Sequence, residues 1–330
     1  MRIEQADPAD VRQARACHEV YLAAQRVDEP QGPWLGDRAF AGWLAVGWDG
    51  NPREVWLARR DGMVAGWYRL ELPSRENLDQ ANLNLIVHPA ERQRGVGRAL
   101  LRHAADRAVA NGRTLISGIA RLGSPGEALA RSAGAKPGLV DIQRVLAVAS
   151  LDQARRAALR RPAERAAAGY SLVSWAGPVP EEFIERVALL YNAMSDAPRD
   201  PGVEAEHWDA RRIREIVNDL QPRFGMHNYT VAARHDDTGE LAALTEVAVD
   251  PDDPGWGHQL ITVVVSAHRG HRLGLLLKVA MMDLLATTEP GLEQVVTSNA
   301  QSNEHMVAVN DALGYTPRGA PIIWYQLETR

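Results

Sequence analysis

An apolar strand that runs through a basic, glycine-containing turn directly into a helix occurs twice in this chain. The first copy reads VHPAERQRGVGRALL over Val87–Leu101, and the second reads ITVVVSAHRGHRLGLLLKVAMMDLL over Ile261–Leu285. Arg92 and Arg269 hold the same place in the two copies, 269 − 92 = 177 residues apart. Solenoid repeats have periods of roughly 20 to 50 residues, so this spacing predicts a duplicated domain.

The segments around the two copies match as well. Alternating strands precede them, MVAGWYRLEL at 63–72 and ELAALTEVAV at 240–249, and a glycine followed by a final strand ends each half. Between the halves lies SLDQARRAALRRPAERAAAG, in which Ser150 is predicted to cap a helix and Pro162 to interrupt it. We therefore predict a first domain at 1–149, a helical linker at 150–169 and a second domain at 170–330.

Composition and charge exclude several classes of protein. Of the 330 residues, 45% are hydrophobic and 24% are charged, as in soluble globular proteins, and the net charge of -5 argues against a general binder of nucleic acids or anionic membranes. No apolar run approaches the roughly 18 residues of a membrane span, and the charged N-terminus has no signal-peptide core. Cys17 is the single cysteine and no H-E-x-x-H spacing occurs, so we predict no disulfide, no metal and a cytoplasmic location.

The composition of the first turn suits a phosphate ligand. A helix start offers backbone N–H groups without internal partners, together with the positive end of the helix dipole. Two glycines keep side chains away from that backbone and three arginines add positive charge, at Gly95, Gly97, Arg92, Arg94 and Arg98. The chain has no G-x-x-x-x-G-K-[ST] loop, and its R-x-x-G-x-G spacing comes too late in the half for a dinucleotide fingerprint. The turn therefore predicts a ligand that carries a diphosphate.

At these residues the chain resembles the GNAT superfamily of acetyl-coenzyme A-dependent N-acetyltransferases. The first copy matches the family's V-x-P-x-x-[RQ]-x-x-G-x-[GA] signature at every fixed position, whereas the second has Arg272 in the first glycine slot and Ala267 in the proline slot. The layout is similar to the two-domain acetyltransferases of actinomycete secondary metabolism. The resemblance implies an α+β fold of two GNAT-like domains, each a mixed, mostly antiparallel sheet flanked by helices.

The resemblance also implies where coenzyme A binds. The strand before the turn splays from its neighbour, the pantetheine arm pairs with the free strand edge, and the pyrophosphate lies on the turn. In the first half the expected contacts are Leu85, Ile86, Val87, Arg92, Gln93, Arg94, Gly95, Val96, Gly97 and Arg98. In the second half they are Val263, Val264, Val265, Arg269, Gly270, His271, Arg272, Leu273 and Gly274, together with Asn303, which also suits a helix N-cap.

Many members of the family use a carboxylate at the start of the motif strand as the base and a tyrosine on the last helix as the acid. Here the base slot holds Ala81 in the first half and His258 in the second, and the tyrosine slot of the second half holds Asn310. His258 is either a general base or a loop histidine that caps a strand. Glu246, with Glu71 as its counterpart, either holds the amine or a water, or faces solvent. His258, Glu246 and Asn310 are the catalytic candidates.

Together these features predict an acyl-CoA-dependent N-acyltransferase that moves an acetyl group from acetyl-CoA to a primary amine of a small molecule. The second half is predicted to do the chemistry and the first half to hold acetyl-CoA. Several carboxylates in the connection after the second half's first helix either attract a cationic amine or are solvated loop charges: Asp196, Asp200, Glu204 and Glu206. Two alternatives stay open, a non-catalytic acyl-CoA-binding or sensing protein and an enzyme with another donor such as succinyl-CoA. We expect a monomer or homodimer without nucleic-acid, membrane or metal partners.

Overall fold

The chain forms two compact units, which a computed structural model describes for residues 1–329. The first unit contains residues 1–140, 200–204 and 320–329, and the second contains residues 141–199 and 205–319. None of the described helices is both long and apolar enough to cross a lipid bilayer.

Both halves of the chain combine helices with β-strands. In order they are β1 (Arg2–Ala6), α1 (Val11–Asp28), α2 (Asp37–Val46), β2 (Arg53–Arg60), β3 (Met63–Glu71), β4 (Gln80–Val87), α3 (Val96–Ala110), β5 (Leu115–Arg121), α4 (Pro125–Ser132) and β6 (Lys136–Ala147). There follow α5 (Gln153–Ala166), β7 (Tyr170–Ala176), α6 (Ile184–Asn192), α7 (Ala210–Arg212), β8 (His227–His235), β9 (Leu241–Val249), β10 (Trp256–Val264), α8 (Leu273–Thr288), β11 (Gln294–Ala300), α9 (Glu304–Leu313), β12 (Thr316–Pro317) and β13 (Ile322–Glu328). A π-helix over Ile213–Leu220 continues α7.

Each unit is built on one mixed, mostly antiparallel sheet, as predicted. In the first unit the strand order is β1-β2-β3-β4-β5-β13, and β4 and β5 are the parallel pair. In the second unit the order is β6-β11-β10-β9-β8-β7, and β10 and β11 are the parallel pair. The strand before each basic turn, β4 or β10, therefore lies in the middle of its sheet.

The final strand of each sequence half belongs to the compact unit built mainly from the other half. In the first unit β13 pairs antiparallel with β5, from Ile322 opposite Arg121 to Glu328 opposite Leu115. In the second unit residues 141–147 of β6 pair antiparallel with β11. The predicted ranges 1–149, 150–169 and 170–330 give the order of the repeats along the chain, and as domain limits they stay a prediction.

Both faces of each sheet are covered by helices. In the first unit α3 packs on one face and α1 with α2 on the other, and the two cores include Tyr68, Leu70, Leu100, Ala104, Phe40, Leu57 and Trp67. In the second unit α8 packs on one face and α6 on the other, and the cores include Val247, Leu276, Leu277, Met281, Ile184, Val187, Leu244 and Val263. Because side chains alternate along a strand, each motif strand presents residues to both faces.

The helix between the halves differs from its sequence prediction in two respects. Asp152, not Ser150, caps α5, and its carboxylate accepts a hydrogen bond from the N–H of Arg155 at 2.8 Å. The predicted interruption at Pro162 is wrong, because the proline lies inside the helix. Ala163, the next residue, is fully buried in the core of the second unit. Packing around the proline therefore compensates for the one helical hydrogen bond that it removes.

Gly66 lets β3 approach β4 closely beside the first basic turn, and we expect Gly66→Ala to destabilise the protein by about 1–3 kcal/mol. Gly66 pairs with Val87, and a Cβ there would lie 2.8 Å from the backbone oxygen of Ile86. In the second unit Ala243 occupies the matching position opposite Val264 and is fully buried. The control Ala243→Gly should cost only about 1 kcal/mol. Urea unfolding measures both variants, and equal costs would contradict the close-approach explanation.

Candidate functional site

The first basic turn presents a row of unused backbone donors. The N–H groups of residues 93–98 donate to no protein acceptor within the described chain, and the first bond of α3 runs from Ala99 N–H to Gly95 O at 3.1 Å. Gln93 and Gly95 both adopt the left-handed backbone region, with φ of 61° and 82°. A Cβ on Gly95 would meet nothing within 4 Å, so the glycine leaves open space above the donors. Six amides at the N-terminus of a fifteen-residue helix suit an anion such as a diphosphate.

The second turn has the same backbone despite its different sequence. The N–H groups of residues 270–275 likewise have no protein acceptor in the described part of the chain. The two left-handed positions are again used, but glycine now occupies the first of them, since Gly270 has φ of 88° and Arg272 has φ of 54°. Arg272 therefore preserves the cradle, at a backbone cost of about 1–2 kcal/mol. The short helical turns before the loops start at Pro89 and Ser266, so Ser266, rather than Ala267, holds the proline slot.

The first arginine of each motif ties the turn to a carboxylate at or just beyond the C-terminus of a helix, α1 in the first unit and α6 in the second. Arg92 Nε donates to Val87 O at 3.3 Å, and its guanidinium forms a bidentate pair with Asp28 at 2.7 and 2.6 Å. Arg269 repeats the arrangement, donating from Nε to Val264 O at 3.3 Å and from Nη2 to Asp196 at 2.6 Å. We infer that these two arginines shape the cradle, so that contact with a ligand falls to the amides and to the remaining basic side chains.

A gap opens between the parallel strands next to each turn. In the first unit the β4–β5 pairing stops at Asn82, and in the second unit the β10–β11 pairing stops at His258. His88 N–H bonds to β3 and Val265 N–H bonds to β9, so by alternation the N–H groups of the preceding residues face the gap. The backbone N–H and C=O groups that face the gap belong to Leu85, Val87 and Val264. Those of Ile86, Val263 and Val265 face the neighbouring antiparallel strand, β3 or β9. Each gap offers a free strand edge that leads toward its row of amides.

A bulge in β10 changes which residues of the two halves correspond. The β9–β10 register shifts between Gln259 and Thr262, whereas the β3–β4 register runs without a shift. Gln259 fills the bulge, since its Nε2 donates to Glu246 O at 2.6 Å and to Ile261 O at 3.0 Å. Because of this extra residue, the residue of the first unit that corresponds to His258 is Asn82 rather than Ala81. Asn82 is the last residue of β4 that pairs with β5, as His258 is the last residue of β10 that pairs with β11. A one-residue insertion inside a strand leaves no signal in the turn sequences.

Glu246 is a buried carboxyl group that lies opposite the bulge. It is 8% exposed, so the solvent-facing alternative is wrong. The hydroxyl of Tyr191 on α6 donates to its Oε2 at 2.9 Å, and Glu246 has no cationic partner among the described residues. Burial raises the pKa of Glu246 to about 7, and the hydrogen bond from Tyr191 opposes that rise. Sequence analysis missed Tyr191, which sits 55 residues away in an ordinary amphipathic helix.

His258 lies within β10 on the same face of the sheet as Glu246. It pairs with Ala248, two residues beyond Glu246 on β9, and alternation places all three side chains toward α6. Its Nε2 is buried without a hydrogen-bond partner in the described chain. Burial lowers the pKa of His258, against the raising effect of Asp250. A neutral imidazole with an unused nitrogen beside a carboxyl group is suited to hold a substrate amine or a water.

The first unit has a buried ion pair in this region. By register Arg69 takes the place of Glu246, and Glu71 lies two residues farther along the same face. Arg69 Nη2 donates to Glu71 at 3.3 Å, and Arg69 Nη1 donates to Trp43 O at 2.7 Å. Burial and the neighbouring Asp49 raise the pKa of Glu71, against the lowering effect of Arg69. This carboxylate is committed to a partner, in contrast to Glu246.

Asn310 is not brought together with the other two catalytic candidates. It is fully buried on the opposite face of the sheet, where α8 and α9 pack. Its Oδ1 accepts from Lys278 Nζ at 2.7 Å, and its Nδ2 donates to Asn299 Oδ1 at 2.7 Å. Asn303 caps α9 by accepting from Met306 N–H at 3.2 Å, so the capping role is confirmed and the coenzyme contact stays a prediction.

The loop carboxylates proposed for amine recognition already have partners. Asp196 pairs with Arg269, and Glu206 pairs with Arg212 at 3.4 Å. In the first unit Asp200 accepts from Leu139 N–H at 2.6 Å and Glu204 accepts from Asn77 N–H at 2.8 Å. These contacts favour a structural role for all four. Over residues 1–329 no cluster of three or more histidine, cysteine, aspartate or glutamate side chains is arranged to hold a metal.

Comparison with known proteins agrees with this geometry. Residues 51–131 match the family described as Acetyltransferase (GNAT) domain. The mycothiol acetyltransferases of Sanguibacter keddieii and Mycobacteroides abscessus are each 28% identical to this chain, the first over 94% of this chain and 92% of the relative, the second over 78% and 80%. A tandem GNAT protein from the clavulanic acid biosynthesis pathway has a TM-score of 0.82 at 27% identity, covering 100% of this chain and 98% of its own.

A GCN5-related N-acetyltransferase from Sphaerobacter thermophilus shares the fold, with a TM-score of 0.67 at 18% identity over 100% of this chain and 96% of that one. The intact first signature, the duplicated cradle and the full-length likeness to a tandem GNAT structure lead to one assignment. The chain contains a GNAT acetyltransferase domain over residues 51–131 and is folded as two GNAT-like domains in tandem.

Proposed function

We propose that the second unit transfers an acetyl group from acetyl-CoA to a primary amine of a small molecule, and that the first unit holds acetyl-CoA without turning it over. The observation that carries this proposal is Glu246, a buried carboxyl group whose pKa is raised to about 7 and whose hydrogen-bond partner is a hydroxyl. The first unit has Arg69 at that position and its nearby carboxylate is ion-paired.

Acetyl transfer requires a neutral amine, and Glu246 is suited to make one. A base works best when its pKa lies near the working pH, because it is then largely ionised and still a strong proton acceptor. In the proposed step Glu246 takes the proton from the substrate ammonium, directly or through a water. The neutral amine nitrogen then attacks the thioester carbon, the C–S bond breaks with its electron pair going to sulfur, and the nitrogen loses its second proton to solvent water. Tyr191 holds the carboxylate, and His258 on the same face positions the amine.

The cradles of the two units support acetyl-CoA as the ligand that both units bind. Each has six free amides at a helix start and a free strand edge beside it. The acceptor class is less constrained by the chain, since its loop carboxylates are already paired. The relatives are named mycothiol acetyltransferases, so an amine panel for the assay should include their acceptor alongside other small primary amines.

Matched charge reversals in the two turns test the division of roles. Arg94 and His271 are exposed and occupy equivalent positions, 271 − 94 = 177 residues apart. We expect His271→Glu to lower kcat/KM for acetyl-CoA by roughly tenfold or more, because a negative charge faces the diphosphate of the catalytic unit. Arg94→Glu should instead leave thiol release unchanged and reduce the number of coenzymes retained in native mass spectrometry.

Circular dichroism of both variants controls for folding. If Arg94→Glu abolishes turnover while His271→Glu does not, the roles of the two units are reversed. If neither variant changes turnover or retained coenzyme, the turns do not bind the diphosphate and the proposal fails.

A further inference from the structure

The second unit buries one of the two lysines in this chain. Lys278 and Lys136 stand among 35 arginines, since lysine and arginine total 37. Lys136 is exposed and pairs with Glu328 at 2.7 Å, whereas Lys278 on α8 is 2% exposed. Arginine keeps its charge at any ordinary pH, but a buried lysine can lose its proton. A chain that otherwise uses arginine has thus placed one of its two lysines in the core.

Lys278 starts a directed series of hydrogen bonds. Its ammonium group can only donate, so the Asn310 oxygen must face it at 2.7 Å and the Asn310 amide must point away. That amide donates to Asn299 Oδ1 at 2.7 Å, which in turn directs the Asn299 amide outward. Asn299 is half-buried and lies on β11 three residues beyond Val296, the last residue paired with β10. The series therefore ends as an N–H donor on the diverging part of β11.

Among residues 1–329 no carboxylate compensates for the charge of Lys278. The ring of Tyr315 lies 5.0 Å from Nζ, and burial raises the pKa of that phenol, so it stays neutral. Burial alone lowers the pKa of Lys278, to about 7. The other charged or titratable groups on elements around α8 are engaged elsewhere, exposed or on the far face of the sheet: Arg156, Arg160 and Asp283; Tyr229 with Glu289; Glu304, His305 and Asp311; Glu246 and His258.

We propose that Lys278 is a positioning residue for departure of the coenzyme sulfur, acting through Asn310 and Asn299. The inference rests on the proposed function of the second unit. When the C–S bond breaks, its electron pair goes to sulfur and the amine proton has gone to Glu246. The Asn299 amide, fixed by the series, stabilises the thiolate as a donor, and the ammonium charge behind it lowers the energy of that anion. The second proton of the amine, lost when the amide forms, goes to solvent water, and the released thiolate takes a proton from that water.

The small number of lysines allows a direct test that needs no turnover. Protein labelled with 13C at lysine Cε should give two resonances, and titration should show one group with a pKa far below that of Lys136. Adding coenzyme A should raise the pKa of Lys278 by a larger amount than adding desulfo-coenzyme A, because only the former brings a thiol that ionises near the series. Equal pKa values with the two probes, both shown to be bound by native mass spectrometry, would overturn the inference.

Kinetic variants give a second, independent readout. Lys278→Met keeps the apolar packing and should lower kcat by roughly 10- to 100-fold with little change in KM for acetyl-CoA. It should also remove the fall in kcat above pH 7 that deprotonation of Lys278 causes. Asn310→Asp gives Lys278 an acidic partner, and this variant should move that fall to higher pH. Lys136→Met is the matched control and should leave kcat unchanged.

The outcomes distinguish a failure of the proposed function of the second unit from a failure of the role proposed for Lys278. A parent enzyme whose turnover survives His271→Glu and Glu246→Gln contradicts the proposed function of the second unit. If the parent enzyme instead needs both His271 and Glu246 while its fall in kcat above pH 7 is unaffected by Lys278→Met and Asn310→Asp, that result contradicts only the role of Lys278.

Discussion

Glu246→Gln is expected to lower kcat by roughly 100- to 1,000-fold while leaving KM for acetyl-CoA nearly unchanged. The substitution keeps the shape of the side chain but removes the base, and the amide still accepts the hydrogen bond from Tyr191. Because the carboxyl group titrates near pH 7, kcat of the parent enzyme should rise as pH approaches 7 and the base ionises, and the fall assigned to Lys278 should follow above pH 7. The variant should lose this rise. Initial rates of thiol release from pH 5.5 to 9 measure both effects.

The same variant should be more stable than the parent at alkaline pH. The pKa of Glu246 is about 7 in the folded state against an ordinary 4.5, so the unfolded chain ionises first as pH rises. Stability from the neutral carboxyl is present in full below pH 4.5 and is lost as pH increases toward 7 and beyond. The difference between these two pKa values corresponds to about 3 kcal/mol of unfolding free energy, which Glu246→Gln should recover above pH 7. Thermal unfolding at pH 5 and pH 8.5 checks the sign.

Tyr191→Phe is the matched control for Glu246. It removes the donor that favours the ionised carboxylate, so the rise in kcat should move to higher pH without disappearing. A Glu246→Gln enzyme with the parent kcat and pH profile would exclude Glu246 as the base.

Arg69→Met is expected to destabilise the protein by about 3–5 kcal/mol, because it removes the hydrogen-bonded partner of the buried Glu71 and leaves only the nearby charge of Arg53. Arg69 and Glu71 are 4% and 5% exposed, and Arg69 also lies over the ring of Trp43 at 4.2 Å. The double variant Arg69→Met/Glu71→Gln should recover most of the loss, since both charges are then removed. Urea unfolding of the two single variants and the double variant gives the coupling energy.

Activity separates the structural role of Arg69 from a catalytic one. Turnover per folded molecule should stay within about twofold in the double variant, because the first unit is proposed only to hold acetyl-CoA. An unchanged unfolding midpoint in Arg69→Met would show that the pair contributes no net stability, and a large loss of turnover in the folded double variant would place chemistry in the first unit.

The turns could be predicted from sequence because their chemistry is local. Glycines and arginines between an apolar strand and a helix indicate free amides at a helix start, and the structure has six in each unit. Arg272 stands in a glycine slot of the signature, yet Gly270 takes one of the two left-handed positions and the backbone is kept. The resemblance to the GNAT superfamily implied the mixed sheets, and alternation and turn signals predicted matching strands in both halves.

The rest depends on contacts between distant parts of the chain. Asp28 engages Arg92 across 64 residues, and Tyr191 engages Glu246 across 55. The bulge at Gln259 changes the correspondence between halves by one residue. Lys278 did leave a signal, as the lone charge between Leu273 and Met282 in the motif helix, but its asparagine partner lies 32 residues away. The exchange of final strands leaves no signal in the sequence, because β6 and β13 are similar strands and either could pair with either sheet.

That exchange has a consequence for biosynthesis. The last residue of β5 is Arg121, and the strand that completes its edge begins at Ile322, 322 − 121 = 201 residues later. A nascent first half therefore leaves the ribosome without the strand that pairs with β5, and this edge lacks its partner until residues 322–328 have been synthesised. Cutting the gene between the repeats would deprive each fragment of a strand, so genetic dissection of this enzyme calls for circular permutation or point variants.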